Sequence, residues 1–335
     1  MHTITLIPGD GIGPEITRAV QDIFTAAQVP VQWEEQNAGQ TTFDQSGELL
    51  PQALFDSLEK NRVGLKGPIT TPVGKGFRSI NVTLRQKYDL YQNLRPAKTT
   101  EGIASRYAES GIDVVLFREN TEGLYSGLEV YDEQRGIADS FNRISVEGSR
   151  KICRAAFAYA AKHGRKKVTL AHKANILKMA GTLMLNAAQE ASREFPHIQY
   201  EDKIIDNMCM QLVIKPEQFD VIVTTNLFGD ILSDLLAGLV GGLGVVAGAN
   251  IGDDMAIFEA VHGSAPDIAG KGIANPTALL RSALLMLEHL GEHTQAKRIE
   301  AALNETLRHR EQCTGDLGGS ASTQQFAQNV INNLK

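Results

Sequence analysis

Thr3-Ile4-Thr5-Leu6-Ile7-Pro8-Gly9-Asp10-Gly11-Ile12-Gly13-Pro14 carries the first decision about the fold. An apolar, β-branched run leads into glycines and then into a segment, 14–27, whose apolar residues recur at helical spacing, so strand, turn and helix follow in that order. The order invites a dinucleotide-binding reading. However, the glycines are spaced GxGxG rather than GxGxxG, and Pro14 removes a potential N–H donor from the helix start. A tight strand-to-helix turn accounts for the stretch, with Pro14 in the first helical turn, where its missing N–H would have had no intrahelical partner.

Outward from this turn the alternation continues. Short apolar runs predict strands at 3–7, 31–37, 62–66, 114–118, 167–172, 199–204, 221–225 and 255–260. Amphipathic runs predict helices at 14–27, 51–60, 79–88, 145–163, 181–195, 206–214, 228–239, 276–290, 294–308 and 321–334. Strands separated by crossover helices make an α/β protein. The 335 residues are enough for two domains or one large unit, and 42% hydrophobic against 21% charged residues is an ordinary globular balance. The formal charge, 33 − 39 = −6, argues against non-specific nucleic-acid binding, which needs a basic footprint. Cys153, Cys209 and Cys313 are odd in number and far apart, so neither a disulfide framework nor a structural zinc site is indicated, and a reducing compartment fits. The N-terminal residues show no basic region followed by a long apolar stretch, so no targeting peptide is expected and the cytoplasm is the expected location. The uncharged run 235–252 is interrupted by Gly238, Gly241, Gly242, Gly244, Gly248 and Gly252, which suits a helix entering a glycine-rich loop better than a membrane span.

Several charged residues stand where chemistry could use them. The segment from Ser79 to Pro96 carries two arginines ten apart, Arg85 and Arg95, and Arg118 closes the apolar run Val114-Val-Leu-Phe. Burying an unpaired guanidinium is costly, so such an arginine marks a site or an ion pair. Three guanidinium forks suit a polycarboxylate, and on spacing alone separate arginines with acidic partners suit the sequence equally. Asp230 and Asp234 in Asn226-Leu-Phe-Gly-Asp-Ile-Leu-Ser-Asp lie one turn apart on a predicted helix, where like charges repel unless a cation bridges them. Carboxylate oxygens favour a hard ion such as Mg²⁺ or Mn²⁺, with pairing to the helix N-terminus as the other account of Asp230. Asp206 is a further acid after an apolar run. Lys173, in His172-Lys-Ala-Asn175 at a strand end, could move a proton or be a solvated surface lysine. Tyr125, in the polar loop after Arg118, says little by itself. The small-residue loop His262-Gly-Ser-Ala-Pro-Asp267-Ile268-Ala-Gly-Lys-Gly-Ile-Ala-Asn275 would let a flat ring and a phosphate approach, and is equally compatible with an ordinary surface loop.

Taken together and in this order, the segments from Gly9-Asp-Gly-Ile-Gly-Pro-Glu to Asp316-Leu-Gly-Gly resemble the β-decarboxylating dehydrogenases, the isocitrate, isopropylmalate and homoisocitrate dehydrogenases, and most of all the NAD-dependent isocitrate enzymes. The resemblance implies the isopropylmalate dehydrogenase-like fold: two α/β domains with a cleft between them, and no Rossmann fold. Residues 1–95 and 243–335 would form the large cofactor-binding domain, and 96–242 the small one with the dimer interface and a clasp near 123–143. It implies that Arg85, Arg95 and Arg118 hold substrate carboxylates and that Ser79 and Asn81 recognise the one peculiar to isocitrate, with Tyr125, Lys173 and Asn175 also at the substrate. Tyr125 and Lys173 would be the proton-transfer residues. Asp206, Asp230 and Asp234 would bind Mg²⁺ or Mn²⁺, with Asp206 and Lys173 reaching in from the second subunit of a homodimer. NAD would lie along Thr70, Thr71, His262, Gly263, Ser264, Ala265, Asp267, Ile268, Asn275 and Asp316. Asp267-Ile268 stands where NADP-dependent relatives have Lys-Tyr, and an acid there accepts a ribose hydroxyl and repels a 2′-phosphate. A homoisocitrate dehydrogenase and a non-catalytic regulatory subunit of a hetero-oligomeric isocitrate dehydrogenase are the competing readings.

Overall fold

The computed structural model describes residues 1–70 and 79–335. Its strands are β1 (His2–Ile7), β2 (Val31–Glu35), β3 (Val63–Lys66), β4 (Gln92–Lys98), β5 (Asp113–Glu119), β6 (Glu129–Asp132), β7 (Ile137–Ser140), β8 (Lys167–His172), β9 (Gln199–Ile204), β10 (Val221–Thr224), β11 (Ala247–Ile251) and β12 (Ala256–Ala260). Ten of them form one sheet in the order β2-β1-β3-β12-β11-β4-β5-β10-β8-β9, and β6 with β7 makes a separate hairpin. β2, β1, β3 and β12 pair in parallel, as do β5, β10, β8 and β9. The two parallel wings are joined by β11 and β4, which run antiparallel to each other and to their outer neighbours.

These two central strands are absent from the sequence-based expectation. Gln92-Asn-Leu-Arg-Pro-Ala-Lys98 is polar and carries a proline, and Ala247-Gly-Ala-Asn-Ile251 lies in the glycine-rich run expected to be loop. Neither has the β-branched or aromatic content that signals a strand; pairing on both sides makes them strands. Pro96 is tolerated because β11 pairs only with Gln92–Leu94, so the proline lies past the end of that ladder. A short helix, Gln40–Ser46, and the exposed β6–β7 hairpin were likewise not predicted as elements.

Strand alternation assigns the side chains of the sheet to two unlike faces. On the back face, Ile4, Leu6, Leu65, Leu94, Val115, Phe117, Leu170, Val223, Ala249 and Phe258 belong to one continuous apolar core, closed by helices that include Gly13–Ala26, Val146–Lys162 and Thr277–His289. On the front face the core is split. One cluster lies under the helices Ile205–Ile214 and Asn226–Val240, the other under Gln52–Asn61 and Ile80–Lys87. Between them, Asn93 and Arg95 of β4, Arg118 of β5, Asn250 of β11 and Glu259 of β12 are buried polar residues.

Candidate active site

Burying this many polar groups is tolerable only if they satisfy one another. Glu259 accepts from Lys66 Nζ at 2.6 Å, Asn250 Nδ2 at 2.7 Å and Arg85 Nη2 at 3.3 Å. Burial alone would raise the Glu259 carboxyl, but Lys66 and Arg85 outweigh it and hold the group far below the usual range. Asn250 Oδ1 accepts from both Asn93 Nδ2 and Asn120 Nδ2, and Asn93 Oδ1 accepts from Arg95 Nε at 2.8 Å. Arg95 is pushed down to about 10 by burial, against the pull of Glu259, and so stays charged at neutral pH. Ser79 caps the helix that delivers Arg85, its hydroxyl accepting from Val82 N at 3.5 Å. Three buried atoms here have no partner among the described residues: Arg85 Nε, Asn81 Oδ1 and Asn120 Oδ1.

Arg118 is the last but one residue of β5, with its guanidinium folded over the start of the helix Asn226–Val240. Nε and Nη2 donate to Asn226 Oδ1 at 3.0 and 2.8 Å, and Nη1 pairs with Asp230. The approach requires Gly229, where a Cβ would lie 2.4 Å from Arg118 Cγ. Tyr125 donates its hydroxyl proton to Asp230 Oδ2, and its ring faces the Arg118 guanidinium at 5.0 Å. Desolvation and the bond to Asp230 raise the Tyr125 pKa, so the phenol stays protonated. Burial would raise Asp230, but Arg118 and Tyr125 prevail and it stays ionised. Arg85, Arg95, Arg118, Tyr125 and Asp230 thus gather on the front of the central strands.

Lys173 and Asp206 form a separate surface pair, Nζ to Oδ1 at 2.5 Å, which lowers the Asp206 pKa. His172 bonds Asp202 at 3.0 Å and accepts from Ala174 N, fixing the turn that carries Lys173, while Asn175 is exposed. Among the described residues no three His, Cys, Asp or Glu side chains converge as a metal site, so Asp206 does not join Asp230 and the exposed Asp234 within one chain.

The His262–Asn275 loop walls a cavity of about 690 Å³ together with Ile12, Gly244, Gly315 and Asp316. His262, Gly263, Ala265, Ile268, Asn275 and Asp316 line it, whereas Asp267 is exposed beside it. Burial holds the His262 pKa down, and its Nε2 is buried with no partner among the described residues. The glycine turn at 9–13 holds this loop: Ile12 N donates to Ser264 O, and Gly11, at φ 60°, passes so close that a Cβ would meet that oxygen at 1.9 Å. Thr70 and Ser264 share a hydrogen bond at 2.7 Å, and Asp316 Oδ2 accepts from Asn275 Nδ2 at 2.9 Å. Thr71 lies outside the described residues.

Comparison with known proteins meets this geometry at full length. The isocitrate/isopropylmalate dehydrogenase family profile matches residues 3–330. The chain belongs to that family. A crystal structure of isocitrate dehydrogenase from Methylococcus capsulatus superposes at a TM-score of 0.95 with 51% identity, covering 100% of this chain and 99% of that one. The alpha subunit of the probable mitochondrial NAD isocitrate dehydrogenase of Drosophila melanogaster is 49% identical over 331 residues, 99% of this chain and 87% of its own length. A regulatory subunit of the mitochondrial NAD isocitrate dehydrogenase of Dictyostelium discoideum is 47% identical over 335 residues, 100% of this chain and 92% of its own. In this dehydrogenase-family chain the sequence reading missed Lys66, Asn226, Asn250 and Glu259. The signal that singled out Arg118, a charge in an otherwise apolar strand, was equally present in Val-Gly-Leu-Lys66 and Ala-Ile-Phe-Glu259-Ala.

Proposed function

We propose that the chain oxidatively decarboxylates isocitrate to 2-oxoglutarate and CO₂ while reducing NAD, with Mg²⁺ or Mn²⁺. The observation that carries this reading is the front-face cluster. Three buried guanidinium groups meet there, Arg85 Nε has no partner among the described residues, and a protonated tyrosine and an ionised aspartate stand beside them. Such a surface answers a small polycarboxylate, since each fork can take one carboxylate in bidentate fashion. Asn81 Oδ1, also without a partner among the described residues, can accept from a substrate hydroxyl or a water beside it.

The cofactor groups fit the residues present. The cavity under the His262–Asn275 loop carries an unpartnered imidazole nitrogen, and the all-oxygen donors Asp230 and Asp234, completed by Asp206 of a second copy, suit a hard cation. When bound, the nicotinamide accepts hydride and the cation acts as a Lewis acid toward the developing oxyanion. Arg85, Arg95 and Arg118 orient the substrate carboxylates. Lys173 of the second copy takes the 2-hydroxyl proton, and Tyr125 gives its phenolic proton to the carbon that loses CO₂. Asp267 excludes a ribose 2′-phosphate. The division into 1–95 with 243–335 and 96–242 fits the two chain crossings, at β4 into β5 and at the return into β11.

A homodimer is supported by exposed apolar residues on the 123–143 segment and on the two front helices: Val130, Tyr131, Phe141, Met210, Ile214 and Ile231. Mixing inactive Lys173→Met and Tyr125→Phe chains should recover about a quarter of wild-type activity, because half of randomly formed pairs hold one intact site of two; no recovery would refute sharing between the two chains. The cytoplasm is proposed as the compartment on the three free thiols. No helix among the described residues is long and apolar enough to cross a membrane. The name of the Dictyostelium relative favours a regulatory role as the second reading, which the full set of arginines, Tyr125, Lys173 and aspartates opposes. Purified chain assayed alone with NAD, Mg²⁺ and isocitrate, homoisocitrate or isopropylmalate separates the readings. Turnover of isocitrate is expected, and inactivity on all three would favour the regulatory role.

A further inference from the structure

The back face of the sheet has its own cavity, of about 360 Å³, where the chain passes out of β4 and returns towards β11. Arg281, on the helix Thr277–His289, ties the two passages together: Nη1 donates to Val245 O at 2.5 Å and Nη2 to Thr100 Oγ1 at 2.7 Å. A guanidinium has five N–H donors, so three remain. The other cations of the wall are matched. Lys98 faces Asp113, Arg165 bridges Asp113 and Asp220, and Arg308 bridges Glu101 and Glu305. Arg281 has no ion-pair partner among the described residues; of the acids in the wall, Glu101 and Asp113 are held by the other cations, Glu288 by His293, and the exposed Glu300 acts on Arg281 only through its field. Burial pushes its pKa down to about 10, which leaves it charged at neutral pH. The rest of the wall is partly apolar, with Val115, Tyr159, Leu284 and Ala296.

We propose that this back-face cavity binds a small organic monocarboxylate, its carboxylate on the free donors of Arg281 and its short apolar chain against Val115, Tyr159 and Leu284. Arg281 bonds only neutral oxygens, Val245 O and Thr100 Oγ1, so its remaining donors can take one carboxylate, which a planar fork suits. Pockets that combine apolar walls with one or two convergent polar groups are the usual form of small-molecule sites.

The test uses the full chain with butyrate as probe, read by saturation-transfer NMR and by thermal shift, with the uncharged butyramide as control. Butyrate should bind wild type and Arg85→Met equally, and about tenfold or more weakly in Arg281→Met, while butyramide does not bind. Arg281→Lys keeps the charge without the fork, folds more readily than the Met variant, and should bind several-fold more weakly than wild type. Unchanged affinity in Arg281→Met or Arg281→Lys, loss of binding in Arg85→Met, or equal binding of butyramide would each overturn the proposal.

Discussion

The same central strands present opposite environments on their two sides. Behind them, Leu94, Ala249 and Phe258 continue an apolar core that runs across the whole sheet; in front, Arg95, Asn250 and Glu259, one residue away in sequence, interrupt it. Fully burying a Leu or Phe contributes about 1.5–3 kcal/mol, whereas burying a guanidinium costs several unless paired. The front face therefore holds together through a hydrogen-bond network rather than through apolar packing. The two kinds of cohesion predict different responses to mutation.

The largest contrast is catalytic. Tyr125→Phe on the front should lower kcat by about 10²–10⁴ with little change in KM, because it removes a proton donor. Tyr159→Phe on the back, a partly buried ring at 5.2 Å from Phe117, should leave kcat within about twofold. Equal losses in steady-state kinetics would erase the distinction between the faces. Next in size is Glu259→Gln, which leaves Lys66 buried without a counter-charge and should cost about 3–5 kcal/mol in urea unfolding. It should also change the pH dependence. The folded-state pKa of Glu259 lies below its usual 4.5, so the stability it contributes is present above about pH 4.5 and lost as pH falls. Wild type should lose stability below that pH more steeply than Glu259→Gln, and parallel unfolding curves would contradict the assignment. The smallest effect falls at the His262–Asn275 loop, beside its cavity, where Asp267→Lys with Ile268→Tyr should move the NAD/NADP ratio of kcat/KM about tenfold towards NADP. An unchanged ratio would refute the role of Asp267.

Legibility differed between the two parallel wings and the centre of the sheet. Most of the wing strands were readable as apolar or β-branched runs, and Lys167–His172 and the more polar Gln199–Ile204 were expected with the bounds observed. β4 and β11 were not, because their strand state comes from pairing on both sides rather than from composition: each pairs with a neighbour close in the chain, β5 or β12, and with the other across more than 100 residues, as in Asn250 against Asn93. Within the site, Arg118 announced itself by closing an apolar strand, and Lys66 and Glu259 gave the same signal without being read as a pair, since a side chain's partner across a sheet leaves no local trace.

By itself the sequence determined the α/β class, the turn at 9–13, the helices that carry Arg85 and Asp230, and the residue types available for an anionic substrate, since these depend on local periodicity and composition. Only the tertiary structure decided which of those charges are neutralised and which remain free. Asp206 is engaged by Lys173 and Asp230 by Arg118, while Arg85 Nε and Arg281 are left with donors to spare. A charge's state depends on its partners and on how far water is excluded, and both are set by strands and helices that meet only when the sheet closes.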